Sequence, residues 1–143
     1  MTRIAGLLFA LVLAFGQIAP ASAEPTGDGD RATIKSLIQG QLDAFQRDDA
    51  TAAYSYAAPS IQGYFQNPGI FMKMVQNGYQ PVYRPRSVTF GELVDTDKGP
   101  VQKVFVTGPD GKNYVAVYSL ERQPDGSWKI NGCSIAEDKT PSI

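Results

Sequence analysis

The stretch Asn113–Ile135, NYVAVYSLERQPDGSWKINGCSI, decides the fold. Its apolar residues recur with a period of two, which is the spacing of a strand. Tyr114, Ala116, Tyr118 and Leu120 share one face, and Val115 and Val117 the other. A strand apolar on both sides is expected at the centre of a sheet, covered on both faces for part of its length. Gln123-Pro124-Asp125-Gly126 is a hairpin turn, and a second strand follows. There Trp128 and Ile130 fall on one face by parity, but Cys133 and Ile135 on the other. A bulge at Asn131-Gly132 returns all four to one face, and that reading is preferred to a strand with its hydrophobic residues split.

Working back towards the N-terminus, Val101–Thr107 reads as a further strand between the turns Asp95–Pro100 and Gly108-Pro109-Asp110-Gly111. Before it, Val88, Phe90, Glu92 and Val94 alternate and are expected on one strand face. The short connections predict a four-stranded antiparallel meander. Upstream of residue 87 the period is 3.6. Ile34, Leu37, Ile38, Leu42 and Phe45 predict a helix over 31–47, with Asp30 as N-cap and with Gln41 and Gln46 at water or rim positions. Asp49 is placed to cap a second helix over 50–57, and Ser60 a short third one. Pro68 suits the first turn of a fourth helix, which Gly78 ends. Tyr79–Arg86 carries two prolines and reads as a stiff, extended connector. The fold class is therefore α+β, with N-terminal helices packed on one face of the curved sheet.

The ends differ in kind. Residues 1–23 have the order of a secretory signal: Arg3, an apolar core from Ile4 to Phe15, and the small-x-small site Ala21-Ser22-Ala23. That core is shorter than the about 20 residues a permanent membrane helix needs. No cysteine stands near the cleavage site to carry a lipid. The expected product is periplasmic or secreted, without a membrane span after cleavage near Ala23, and long enough for one hydrophobic core. Residues 24–30 are a polar, mobile lead, 31–136 the single domain, and 137–143 a tail.

Composition removes several chemistries. The chain has 13 basic and 14 acidic residues, interspersed, and no basic patch that would grip nucleic acid. It has no histidine, which excludes Ser-His-Asp and Cys-His nucleophile systems and histidine zinc sites. The lone Cys133 cannot form an internal disulfide and reads as a small buried hydrophobe. Asp95-x-Asp97-x-Gly99 has Val106 where a calcium loop needs its twelfth-position glutamate. Gly27-x-Gly29-x-x-Ala32 follows no strand, and Gly111-Lys112 lacks the upstream glycine of a phosphate loop. No cofactor and no metal are expected.

The order of helices, then a curved sheet ending in Asp125-Gly126-Ser127-Trp128-Lys129-Ile130, resembles the cone-shaped superfamily of nuclear transport factor 2 and ketosteroid isomerase. More specifically, Gly78–Leu93 (GYQPVYRPRSVTFGEL) and Leu120–Cys133 (LERQPDGSWKINGC) are similar to a bacterial family, domain of unknown function 4864. The resemblance implies the fold and assigns no activity. It also implies a cavity between the helices and the concave sheet face, and dimers joined through the outer sheet face. Within such a cavity strand parity puts Glu92, a desolvated base or acid, and Tyr118, a phenol able to donate to a developing oxyanion. Tyr79, Tyr83, Arg84 and Arg86 would form a lip of stacking surfaces and fixed cations suited to anions.

Three functions stay open at this stage. The leading one is an exported, non-enzymatic module that binds a small apolar or anionic molecule, or a protein partner. The alternative is a cofactor-free isomerase or lyase using Glu92 and Tyr118. The third is a purely structural homodimer.

Overall fold

A computed structural model describes residues 25–141. The expected signal sequence and its cleavage site lie outside the described residues. Among the described residues five helices precede four strands: α1 (Asp28–Gln46), α2 (Ala50–Ser55), α3 (Pro59–Phe65), α4 (Pro68–Gly78), α5 (Gln80–Tyr83), β1 (Ser87–Thr96), β2 (Gly99–Thr107), β3 (Asn113–Arg122) and β4 (Trp128–Glu137). The strands form one antiparallel sheet in the order β1-β2-β3-β4, the expected meander.

One apolar core joins the two layers. From α1 it takes Ile34, Ile38, Leu42 and Phe45; from the sheet it takes Val104, Val106, Ala116, Tyr118, Leu120 and Ile130. Those sheet residues alternate along their strands, so the buried face is the one that period two marks. Among the described residues no helix covers the opposite face. Val115 and Val117 are only half-buried there, and Phe105 is 41% exposed. The central strand is thus covered fully on one face, not on both.

The helix ends mostly obey their capping residues. Asp49 accepts from the Ala52 amide at 3.0 Å and starts α2. Asn67 accepts from the Ile70 amide at 2.9 Å and starts α4, with Pro68 in its first turn. Three expectations are corrected. Helix α1 begins at Asp28 with Gly27 as its cap, so the polar lead ends earlier than residue 30. Asp30 instead pairs with Arg122 and accepts from the Trp128 indole nitrogen at 3.2 Å, tying α1 to the β3–β4 hairpin. Helix α3 starts at Pro59, with Ala58 rather than Ser60 before it. The connector is not extended throughout, because Gln80–Tyr83 curls into one helical turn. Three backbone bonds, from Val82 and Tyr83 to Tyr79 and from Arg84 to Gln80, outweigh the bias a proline puts on its predecessor.

Two bulges fix which side chains enter the core. In β4 the register steps from Ser119↔Gly132 to Leu120↔Ile130, leaving Asn131 without an opposite residue. This is the bulge that the sequence predicts, and it puts Cys133 and Ile135 against the core with Ile130. In β1 the register steps between Phe90↔Val104 and Leu93↔Gln102. Gly91 and Glu92 there both face outward. A Cβ on Gly91 would meet the Phe105 ring at 2.6 Å, so only glycine lets that ring lie flat across the bulge. On the inner side the buried Gln102 donates to the carbonyls of Gly91 at 2.9 Å and Lys103 at 2.8 Å, satisfying groups the ladder no longer pairs.

Candidate functional site

Between α1, α3, α4 and the start of β4 the two layers fail to meet, and a cavity of about 400 Å³ remains. That is within the usual range for small-molecule sites. Its floor is buried: Phe45 from α1, Phe71 and Val75 from α4, Val82 from α5, Tyr118 from β3 and Ile130 from β4. Its rim is half-buried, formed by Ile61 and Phe65 of α3, Met74 of α4, Tyr79, and Asn131–Cys133. No carboxylate, lysine or arginine lines it among the described residues.

Few polar groups reach this interior. Gln41, expected near water, is only 4% exposed; its Nε2 donates to the Ala53 carbonyl at 3.1 Å, which the Tyr56 amide reaches only at 3.4 Å. Tyr79 donates from its hydroxyl to the Cys133 carbonyl at 3.2 Å and fixes the rim against β4. The Tyr118 hydroxyl and Asn131 Oδ1 are both buried and have no hydrogen-bond partner among the described residues. Cys133 is opposite Tyr118 in the ladder, but the phenol makes no well-formed hydrogen bond to its thiol. Burial raises the Tyr118 hydroxyl well above its usual pKa, with the adjoining Cys133 adding to the effect. The phenol therefore stays protonated.

Cys133 keeps part of its surface open, yet its sulfur is enclosed enough that burial pushes its pKa up to about 12. Reactive thiols are those with depressed pKa values, so this one should be inert. With iodoacetamide at pH 8, intact-mass analysis should show Cys133 alkylated at least about a hundredfold more slowly in the folded protein than in urea. Equal rates would mean an open, thiolate-rich site.

Glu92 does not enter the cavity, which corrects its expected placement beside Val88 and Phe90. The β1 bulge turns it outward, and Leu93 takes the inward position. Its side chain is 67% exposed and pairs with Lys103 at 3.3 Å on the outer sheet face. The Glu92–Tyr118 pair is therefore not assembled. Substitution of Glu92 by Gln should change the unfolding free energy by less than about 1 kcal/mol in urea titrations, as for other exposed pairs. It should also leave ligand binding in the cavity unaltered; a loss of binding would place Glu92 at the site after all.

The lip residues divide. Tyr79 lines the cavity, whereas Tyr83, Arg84 and Arg86 do not. Arg84 donates to Asp48 at 2.9 Å and to the Phe45 carbonyl at 2.5 Å, and its guanidinium lies 4.0 Å from the Tyr83 ring centre. Tyr83 in turn donates to Asp48, and this bond, with Arg84 beside it, holds the Asp48 carboxyl below its usual pKa. The cluster thus fastens α5 to the α1–α2 junction, where the Phe45 carbonyl accepts from Arg84 as well as from the Asp48 amide. Arg86 donates to the Pro109 carbonyl at 2.7 Å and serves the β2–β3 turn. Arg84 is thus held by bonds within the fold, while Arg86 stays exposed with one bond to the turn.

Asn131 is the residue that sequence reasoning missed as a site. The signal was present in the predicted bulge, since an extra residue in a strand re-aims its own side chain. Among the described residues no group of three acidic, cysteine or histidine side chains could hold a metal ion. No helix among them is long and apolar enough to cross a membrane.

Fold and site together define a small α+β domain with an apolar, uncharged cavity between its layers. The family model of Domain of unknown function (DUF4864) matches residues 28–143, and the chain belongs to that family. None of the curated proteins compared matches the chain.

Proposed function

We propose that this protein is an exported, non-enzymatic binding module that takes up a small apolar molecule in the cavity between its helices and its sheet. One observation carries the reading: about 400 Å³ of space walled by Phe, Val, Ile and Met side chains, with no ionised group on its lining among the described residues. The space opens between the two layers and is of the size small-molecule sites have, so its apolar walls can seat a ligand away from water. A cavity without a general base at neutral pH suits binding rather than proton transfer. Helices gathered on one face of a four-stranded meander around such a space are what supports placing the fold in the nuclear transport factor 2-like superfamily. The sequence of residues 1–23 supports export to the periplasm or beyond.

The test is a titration of purified mature protein with the neutral fluorophore N-phenyl-1-naphthylamine, together with native mass spectrometry of protein recovered from the export compartment. Saturable one-to-one binding, or a retained small-molecule mass, is the expected result. A fluorescence rise that never saturates, with a bare protein mass, overturns it.

A further inference from the structure

We propose that the ligand is a neutral molecule with an apolar body and one polar end that both accepts and donates a hydrogen bond, an alcohol or a primary amide, and that Tyr118 and Asn131 hold that end. The inference rests on the binding reading above and names its ligand class.

Two buried atoms carry it. The Tyr118 hydroxyl and Asn131 Oδ1 lack partners among the described residues, and both residues line the same cavity. Buried polar groups are satisfied in nearly every native structure, so two orphans on one wall mark where a partner belongs. They are near each other in the ladder. Tyr118 pairs with Cys133, Ser119 pairs with Gly132, and Asn131 is the bulged residue that follows on the same strand. Elsewhere on the wall Gln41 Nε2 is taken by Ala53 and the Tyr79 hydroxyl by Cys133, and the Cys133 thiol beside Tyr118 is only a weak acceptor.

The two atoms ask for opposite things. A phenol offers a proton, and a carboxamide oxygen requires one. A single hydroxyl or primary amide meets both demands at once. An ether or ester meets only the first and leaves Asn131 orphaned. A carboxylate offers no proton to Asn131 and would be buried without a cation, since no lysine or arginine lines the cavity among the described residues. Burial keeps the Tyr118 hydroxyl protonated, so it stays a donor. The apolar floor then takes the remainder of the ligand by area alone.

The experiment displaces N-phenyl-1-naphthylamine from the mature protein at pH 7.5 with octan-1-ol, octanamide, octanoate and 1-methoxyheptane. The last is close in size and shape to the alcohol and lacks its proton. Octan-1-ol and octanamide should displace the probe at concentrations at least about tenfold below those needed for the ether or the carboxylate. In Tyr118→Phe and in Asn131→Leu the alcohol's advantage over the ether should shrink to within about threefold, with the ether itself little changed. Circular dichroism and urea melts establish that each variant is folded, and the ligand ladder on the unsubstituted protein stands even if one is not. Octanoate binding as tightly as octanol, or the ether matching it, overturns the ligand class while leaving the cavity as a binding site. Failure of the probe itself to bind overturns the binding reading, and this inference with it.

Discussion

Filling the cavity from its wall will separate binding from stability. Ala57 is 1% exposed, lines the cavity, and sits where the chain bridges β4 beside Ile130. Its replacement by phenylalanine should weaken N-phenyl-1-naphthylamine binding at least about tenfold while leaving stability level or raised by up to about 1 kcal/mol. Cavity-filling substitutions commonly stabilise by about that much, and the usual cost falls on function. An ordinary packed core would respond oppositely, since inserting a ring there costs about 1–3 kcal/mol. Unchanged probe affinity in a folded variant would mean that the probe binds elsewhere.

The second large effect is on the fold itself. Phe45→Ala should lower the unfolding free energy by about 3 kcal/mol, at the lower end of the range for such deletions. The Phe45 ring is 2% exposed and stands 6.3 Å from the Phe71 ring, but one side of it faces the cavity. A ring already lacking neighbours on one side has fewer contacts to lose. Set against the about 5–15 kcal/mol typical of whole domains, that is a large fraction. Guanidinium titrations with an unchanged slope check it. A loss under about 1 kcal/mol would show that α1 is not anchored to α4 through this ring.

Most of the scaffold was legible because two periodicities and a few turn residues carry it. The strands of the meander and the bulge at Asn131-Gly132 follow from alternation interrupted at a known turn dipeptide. The β1 bulge was not read from the sequence: keeping Leu93 with Val88 and Phe90 requires an extra residue at Gly91-Glu92, where no turn dipeptide marks it. Glu92 is followed by Val94 at the next alternate position, and that apparent regularity hid the step. What settles it is tertiary: Phe105 needs the bare Gly91 beneath it, and Gln102 stands across the strand to take up the freed carbonyls. The site was half legible for the same reason. Tyr118 is marked by its central strand, and Tyr79 by its place after α4. Asn131 reads only as part of a bulge, and Arg84 and Arg86 as the fixed cations of a lip, because nothing in a linear pattern shows which groups their side chains meet.

The bulges have a further consequence for how the molecule coexists with its own copies. Both interrupt the outermost strands, β1 and β4, and along β4 the residues around Ala57 cap part of the open rim, with the Ala58 amide on the Ile130 carbonyl at 2.8 Å. A flat, unbroken border of amides and carbonyls is a template on which a second sheet can grow. Here each edge strand carries a bulge, one of the features that discourage edge-to-edge growth.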